Sequence, residues 1–293
     1  MRARIEWRRV GLMVLGWLAL TGVAVAEEVK TIEILPHIWT VHSTGGTDSN
    51  ATFIITDQGV MVIDTSMTPE GGRHLRDEIL KKTGKPVTHV VNTHHHKENV
   101  LGNNAFKDCA SIIAHRKAQK NMEAVVKREG LRDATFPNLV FDSHVELTLG
   151  GYLLELRHPG PAHTNGDLYV YMPTWRTIIA GGLVFNEVLP DTRDSYIDPW
   201  IDALQKMEDV DAELIVPGHG RPGGKQLIMK AKHYLILLKR YVNFELDQGH
   251  GLNDIIKNVS ARLKEPYSGW LHPERMEANI RQAFIEYSAK RGT

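Results

Sequence analysis

Three short segments of this chain place histidine where it can bind metal or move protons. Thr93-His94-His95-His96-Lys97-Glu98-Asn99 follows the apolar run Pro86–Val91. In an extended segment residues i and i+2 share a face, so His94 and His96 can reach one ion together while His95 points the other way. His158-Pro159-Gly160-Pro161-Ala162-His163-Thr164-Asn165-Gly166-Asp167 stiffens a turn with proline and glycine, and it delivers His163 just ahead of the run Leu168–Met172. Val216-Pro217-Gly218-His219-Gly220 sets His219 at the end of a third apolar run. Three adjacent histidines also suit a solvated loop, and His37, His42, His144, His233, His250 and His272 read as surface or packing residues. Functional side chains gather on loops held by a rigid scaffold, and three such loops can supply the nitrogens of a tetrahedral zinc site with an open position. The single cysteine, Cys109, excludes an internal disulfide and a thiolate-cluster site, and beside Ile112-Ile113 it reads as a packed structural thiol.

The elements around these segments are short and alternate in type. Thr31–Leu35, Ile38–His42, Thr52–Thr56 and Val60–Asp64 read as strands, with turns at Gly45-Gly46 and Asp57-Gln58-Gly59. Thr68 before Pro69 is a capping residue before a proline at the first helical position, so a helix is expected to about Lys82. A strand at Pro86–Val91, a strand at Ser111–Ala114 and a helix at His115–Glu129 follow, then a loop around Pro137. Val145–Leu149, Tyr152–Arg157, Leu168–Met172 and Thr177–Ala180 form a second strand-rich stretch, ahead of a helix at Pro199–Asp209 and a strand at Glu213–Val216. The remainder reads as helices, with Tyr234, Leu235, Leu237, Leu238 and Tyr241 spaced for packing. Two β-rich halves with helices predict an α/β protein of two sheets packed face to face: one domain over 31–223 and a helical extension over 224–293 packed on it. Trp200, Tyr267 and Trp270 are candidates either to line a pocket or to fill the core.

The chain has 293 residues, 42% of them hydrophobic and 24% charged, which excludes a disordered or coiled-coil chain. Its 35 basic and 35 acidic residues offer no net field for nucleic acid. Residues 1–26 stand apart: Arg2, Arg4, Arg8 and Arg9, then an apolar run from Val10 to Leu20, then Ala24-Val25-Ala26. This is the layout of a secretory signal peptide cleaved after Ala26, its apolar run being short for a membrane span. Cleavage removes four arginines and Glu6, leaving 31 basic against 34 acidic residues. A periplasmic or secreted protein is expected, with no membrane attachment after cleavage.

The ordered motifs from Ile38 to Gly220 resemble the metallo-β-lactamase fold hydrolases: Val-Ile-Asp-Thr ending at Asp64 and Thr65, His-x-His, Pro-Ala-His-Thr-x-Gly-Asp, Ala-Gly-x-Leu-Val-Phe, and Pro-Gly-His-Gly. The stretch from His158 to His219 looks most like exported zinc hydrolase-like proteins associated with quinoprotein dehydrogenase and sulfur-oxidation systems. The resemblance implies an αββα sandwich with the metal site at one edge. It assigns His94, His96 and His163 to a first zinc. It places a second metal on positions occupied here by Glu98, Asn99, Gly182 and His219, of which only the last keeps the family's residue. One zinc per chain is therefore expected. In this reading Glu98 orients or deprotonates the attacking water, His219 shuttles a proton or donates to the oxyanion, and Asp64 and Asp167 support the ligand loops. The implied activity is zinc-dependent hydrolysis of a small-molecule amide or lactam, ester, lactone or thioester. Two other readings stand beside it: a non-catalytic metal-binding accessory of a dehydrogenase or redox partner, and a mononuclear iron enzyme, which needs the bridging aspartate that Gly182 lacks.

Overall fold

The computed structural model describes residues 28–44, 49–108 and 110–292; the expected signal peptide, the Gly45-Gly46 turn and Cys109 lie outside them. The first sheet contains β1 (Glu28–Leu35), β2 (Ile38–Thr44), β3 (Asn50–Thr56), β4 (Gly59–Ile63), β5 (Val87–Asn92), β6 (Ser111–His115) and β7 (Leu139–Phe141), paired in that order. Its first four strands are antiparallel and β4 to β7 are parallel. The second sheet runs β12-β11-β10-β9-β8, from β8 (His144–Leu149), β9 (Tyr152–Arg157), β10 (Tyr169–Met172), β11 (Thr177–Phe185) and β12 (Leu214–His219). Only β11 and β12 are parallel in it.

Strand alternation builds the layers. Met61 and Ile63 of β4, Val91 of β5 and Ile113 of β6 face Leu154, Leu156, Val170 and Ile179 of the other sheet. The alternate residues Val60, Val62, Val90 and Ile112 turn outward onto Leu75 and Ile79 of α1 (Pro69–Thr83). Strands covered on both faces must be apolar throughout, and β4 reads Gly-Val-Met-Val-Ile. On the outer face of the second sheet, Ile178 and Ala180 pack against α4 (Ile197–Glu208), α5 (Gln226–Asp247), α6 (Leu252–Lys264) and α7 (Arg275–Arg291). The result is the αββα sandwich with C-terminal helices expected from the sequence. Tyr234, Leu235 and Leu238 of α5 are fully buried, and Leu237 and Tyr241 pack partly against the same core.

The structure also contains elements the sequence reading passed over. β7 lies in the stretch read as a loop around Pro137, and the short helix α2 (Lys97–Val100) follows the histidine run. α3 (Arg116–Glu129) begins one residue later than expected, because His115 is its cap and accepts from Lys117 N–H.

Candidate metal centre

The parallel strands β4, β5, β11 and β12 end at one edge of the sandwich, where crevices of open α/β sheets commonly hold ligands. Asp64 follows β4 with φ of 61°, and its carboxylate accepts from Thr93 N–H at 2.8 Å and Thr93 Oγ1–H at 2.7 Å. With its proton committed to Asp64, Thr93 Oγ1 accepts from His94 Nδ1–H, 2.9 Å away. That fixes the tautomer of His94 and leaves the Nε2 lone pair for a metal. Asn99 Nδ2, 3.2 Å from Nε2, is placed to donate to that same lone pair.

His96 is fixed from its other side. Asp194 Oδ2 lies 3.0 Å from His96 Nε2, and a carboxylate only accepts, so Nε2 carries the hydrogen and Nδ1 is left as the ligand atom. Glu98 Oε1 stands 3.8 Å from that Nδ1. His163 comes from the turn before β10, which Asp167 closes by accepting from Thr164 N–H at 2.6 Å and Thr164 Oγ1–H at 2.9 Å. His163 Nδ1 is buried and has no hydrogen-bond partner among the described residues, and Asp167 Oδ1 is 3.7 Å from it.

The three rings form a nearly equilateral, mutually edge-on set. Centroid separations are 4.8 Å for His94–His96, 4.8 Å for His94–His163 and 4.7 Å for His96–His163, with interplanar angles of 72°, 77° and 83°. Imidazoles bound at zinc–nitrogen distances and tetrahedral angles have centroids about 5 Å apart. One atom from each ring lies within 4.8 Å of the others. The donor set, the spacing and the unpartnered His163 nitrogen fit a divalent metal.

The electrostatics suit that use at His94, whereas at His96 they favour a proton that a metal would have to displace. Burial, then the neighbouring His96 and His163, hold His94 well below the usual imidazole range, so it is neutral and ligand-competent. Burial works to lower His96 too, but the hydrogen bond to Asp194 and the nearby Glu98 outweigh it and raise it. Burial would raise Glu98, yet His96 and His219 hold it below the ordinary carboxylate range. Burial pushes Asp64 up to about 7 against its two hydrogen bonds from Thr93. His219 ends β12, mostly buried and within electrostatic reach of His94 and Glu98. Among the described residues neither Glu98 nor His219 joins the three-histidine cluster.

Two glycines allow the approach. A Cβ on Gly181, whose φ is 52°, would stand 2.4 Å from Thr93 Cβ. One on Gly182 would stand 2.4 Å from His163 Nδ1 and 3.0 Å from His94 Cε1. The position that the resemblance links to a bridging carboxylate is thus occupied by backbone drawn up against the histidines.

Several expectations need correction or extension. Trp200 is fully buried, donates Nε1–H to Leu183 O at 3.0 Å and packs on His163 at 5.2 Å, so it backs His163 from within the core. Tyr267 and Trp270 join Phe185 and Tyr234 in an aromatic cluster under the helices. His95 stays out of the triad, as alternation predicts, but it faces Asp194 at 3.6 Å and borders the cleft. Asp194 itself was missed: it lies 98 positions from His96, and no local motif connects them. His95, His96 and Asp194 also come within 4.8 Å, but a neutral imidazole has one lone pair, so His96 serves one ion.

Space for a substrate adjoins the ligands. A cavity of about 240 Å³ touches His96, Glu98, Asp191 and Arg193. It meets a cleft of about 800 Å³ at His95 and Asp194, and that cleft runs between Val125 of α3 and Ile285 of α7.

Comparison with known proteins agrees with the fold. The family model of the metallo-beta-lactamase superfamily matches residues 44–219, more than half of the chain. The chain belongs to the metallo-β-lactamase superfamily. It is 28% identical over 232 residues to a metallo-beta-lactamase type 2 of Bacillus sp. (strain 170), covering 74% of this chain and 86% of that one. It is 28% identical over 197 residues to the type 2 enzyme of Bacillus cereus, covering 65% and 73%. Among solved structures, a metallo-beta-lactamase from Pontibacter korlensis superposes with a TM-score of 0.64 at 23% identity, covering 71% of this chain and 99% of that one. The DIM-1 metallo-beta-lactamase gives 0.61 at 23% identity, covering 71% and 97%. At these identities the structural likeness speaks for the fold.

Proposed function

We propose that this protein is an exported, mononuclear zinc hydrolase acting on an amide or lactam, ester, lactone or thioester. The observation that carries the reading is the mutually edge-on triad His94, His96 and His163, with two of its rings fixed through Thr93–Asp64 and Asp194. Zinc bound by three histidines supplies Lewis acidity and makes a water molecule acidic enough to attack a carbonyl near neutral pH. Glu98, with Oε1 3.8 Å from His96 Nδ1, is the carboxylate placed to orient the attacking water and accept its proton. His219, near Glu98, donates to the oxygen on which charge develops. Asp64 and Asp167 hold the loops that carry His94 and His163. Single-metal chemistry follows from Asn99 and Gly182, which leave the second position without its carboxylate and imidazole.

The same two residues favour one competing reading, a metal-binding accessory of a periplasmic dehydrogenase or sulfur-oxidation system that has lost turnover. Hydrolysis of a panel of lactams, lactones and thioesters by the zinc-loaded mature chain, run beside His94→Ala, separates the two. Turnover of at least one substrate, abolished in His94→Ala, is expected. Equal rates for the two proteins on every substrate would remove the hydrolase reading. Glu98→Ala is expected to lower turnover about 100-fold or more with zinc retained, and loss of zinc along with turnover would make Glu98 a ligand instead.

A further inference from the structure

The family match ends at residue 219, so α5 to α7 lie outside it. Yet the second half of that extension is stitched to the segment that carries Asp194. Leu271 N–H donates to Glu187 O at 2.8 Å, and Leu189 N–H donates to Leu271 O at 2.9 Å. Arg275 Nη1 reaches Leu189 O at 2.9 Å, and Gln282 Nε2 reaches Ser195 O at 3.1 Å. Thr192 Oγ1 donates to Asn279 Oδ1 at 2.9 Å, with both residues fully buried, and Asn279 Nδ2 donates in turn to Tyr234 OH at 2.7 Å. Glu286 accepts from Ile197 N–H at 2.8 Å. From this clamped segment Asp194 reaches His96, and Tyr196 N–H reaches Ala162 O, next to His163, at 2.8 Å.

The clamp matters because Asp194 is a surface carboxylate whose other close partner is His95, at 3.6 Å. Its side chain is 55% exposed, and an unconstrained surface carboxylate gains little from a histidine. Fixing the backbone on both sides removes the entropy that this contact otherwise costs.

We propose that the C-terminal helical extension sets the zinc affinity of the site: residues 271–286 clamp 187–198 so that Asp194 holds His96 Nε2–H and aims Nδ1 at the metal. The proposal rests on the reading that His94, His96 and His163 hold zinc. Arg275, Asn279 and Gln282 are positioning residues, and none of them touches a ligand.

The test is zinc affinity of the mature chain, measured by competition with a chromophoric chelator and by the visible spectrum of the cobalt-substituted protein. Asp194→Asn is expected to weaken zinc about 10- to 100-fold. Arg275→Ala with Gln282→Ala is expected to weaken it about threefold to tenfold, with an altered cobalt spectrum. In the Asp194→Asn background the same pair is expected to cost almost nothing more, because both act through one contact. Melting of the metal-free proteins in chelator reports folding, and Gln282→Ala alone, at a half-exposed residue, serves if the pair melts early. Wild-type zinc affinity in the folded α7 variant, or an undiminished loss in the Asp194→Asn background, would overturn the proposal. A wild-type chain that binds no zinc would overturn the site reading itself, and this inference with it.

Discussion

Gly182 decides how closely β11 can approach the ligands, since any Cβ there overlaps His163 Nδ1 at 2.4 Å. Gly182→Ala is expected to displace the ring and lower zinc affinity about tenfold or more, read by chelator competition. Gly182→Asp adds a carboxylate at the same cost, so zinc per chain is expected to stay at or below one. A rise to two would show that the histidines yield to make room. Thr93 acts on the other side of the triad. Thr93→Val removes the acceptor of His94 Nδ1–H and is expected to weaken zinc about 10- to 100-fold, with Thr93→Ser restoring most of it; equal affinity in the valine variant would detach Asp64 from the site. The three histidines of the triad were legible in the sequence because they sit in two short motifs beside strands, His94 and His96 in one and His163 in the other. Asp194 was not, because a carboxylate brought in from 98 positions away leaves no periodicity or spacing to read.

At the scale of elements, Asp198 ties α4 to the extension. It accepts from Lys239 of α5 at 2.8 Å, and from Tyr287 at 2.9 Å and Lys290 at 2.8 Å, both of α7. Burial would raise its carboxyl, but hydrogen bonds from Lys239, Lys290 and Tyr287 bring it down to about 2. The folded value is below the unfolded value of about 3.9, so the stabilisation is full above pH ~4 and is lost as pH falls through ~2. With about a third of the side chain exposed, solvent screening leaves about 1 kcal/mol. Asp198→Asn is therefore expected to be less stable than wild type by about that amount in urea unfolding at pH 7, with the gap shrinking between pH 4 and pH 2. A gap independent of pH would assign the loss to packing. The element boundaries show where sequence stops informing. α4 starts at Ile197, two residues before the proline expected to open it, because its N-terminal N–H is met by Glu286 from α7. β11 runs on from Ala180 to Phe185 through two glycines, which lower strand propensity but are needed for the close approach to Thr93 and His163. β4 was legible because burial on both faces demands continuous apolar residues.

Over the whole molecule, two sheets and two helical layers converge on one edge, and the metal site joins them. His94 and His96 follow a strand of the first sheet, His163 precedes a strand of the second, and Asp194 lies on the segment hydrogen-bonded to the extension. Zinc bound to the folded chain alone stabilises it by about 4 kcal/mol at a thousandfold excess over its dissociation constant. The thermal midpoint of the chain is expected to rise by about 10 °C with zinc and to fall back with chelator, while His163→Ala shows no such response. A midpoint indifferent to zinc would place the ion outside the folded framework. The central claim is a single zinc on three histidines, and the measurement that bears on it most directly is elemental analysis of the purified protein beside His163→Ala. One zinc per wild-type chain, and none in the variant, is the result predicted here. Two zinc ions per chain, iron in place of zinc, or zinc retained without His163 would contradict it.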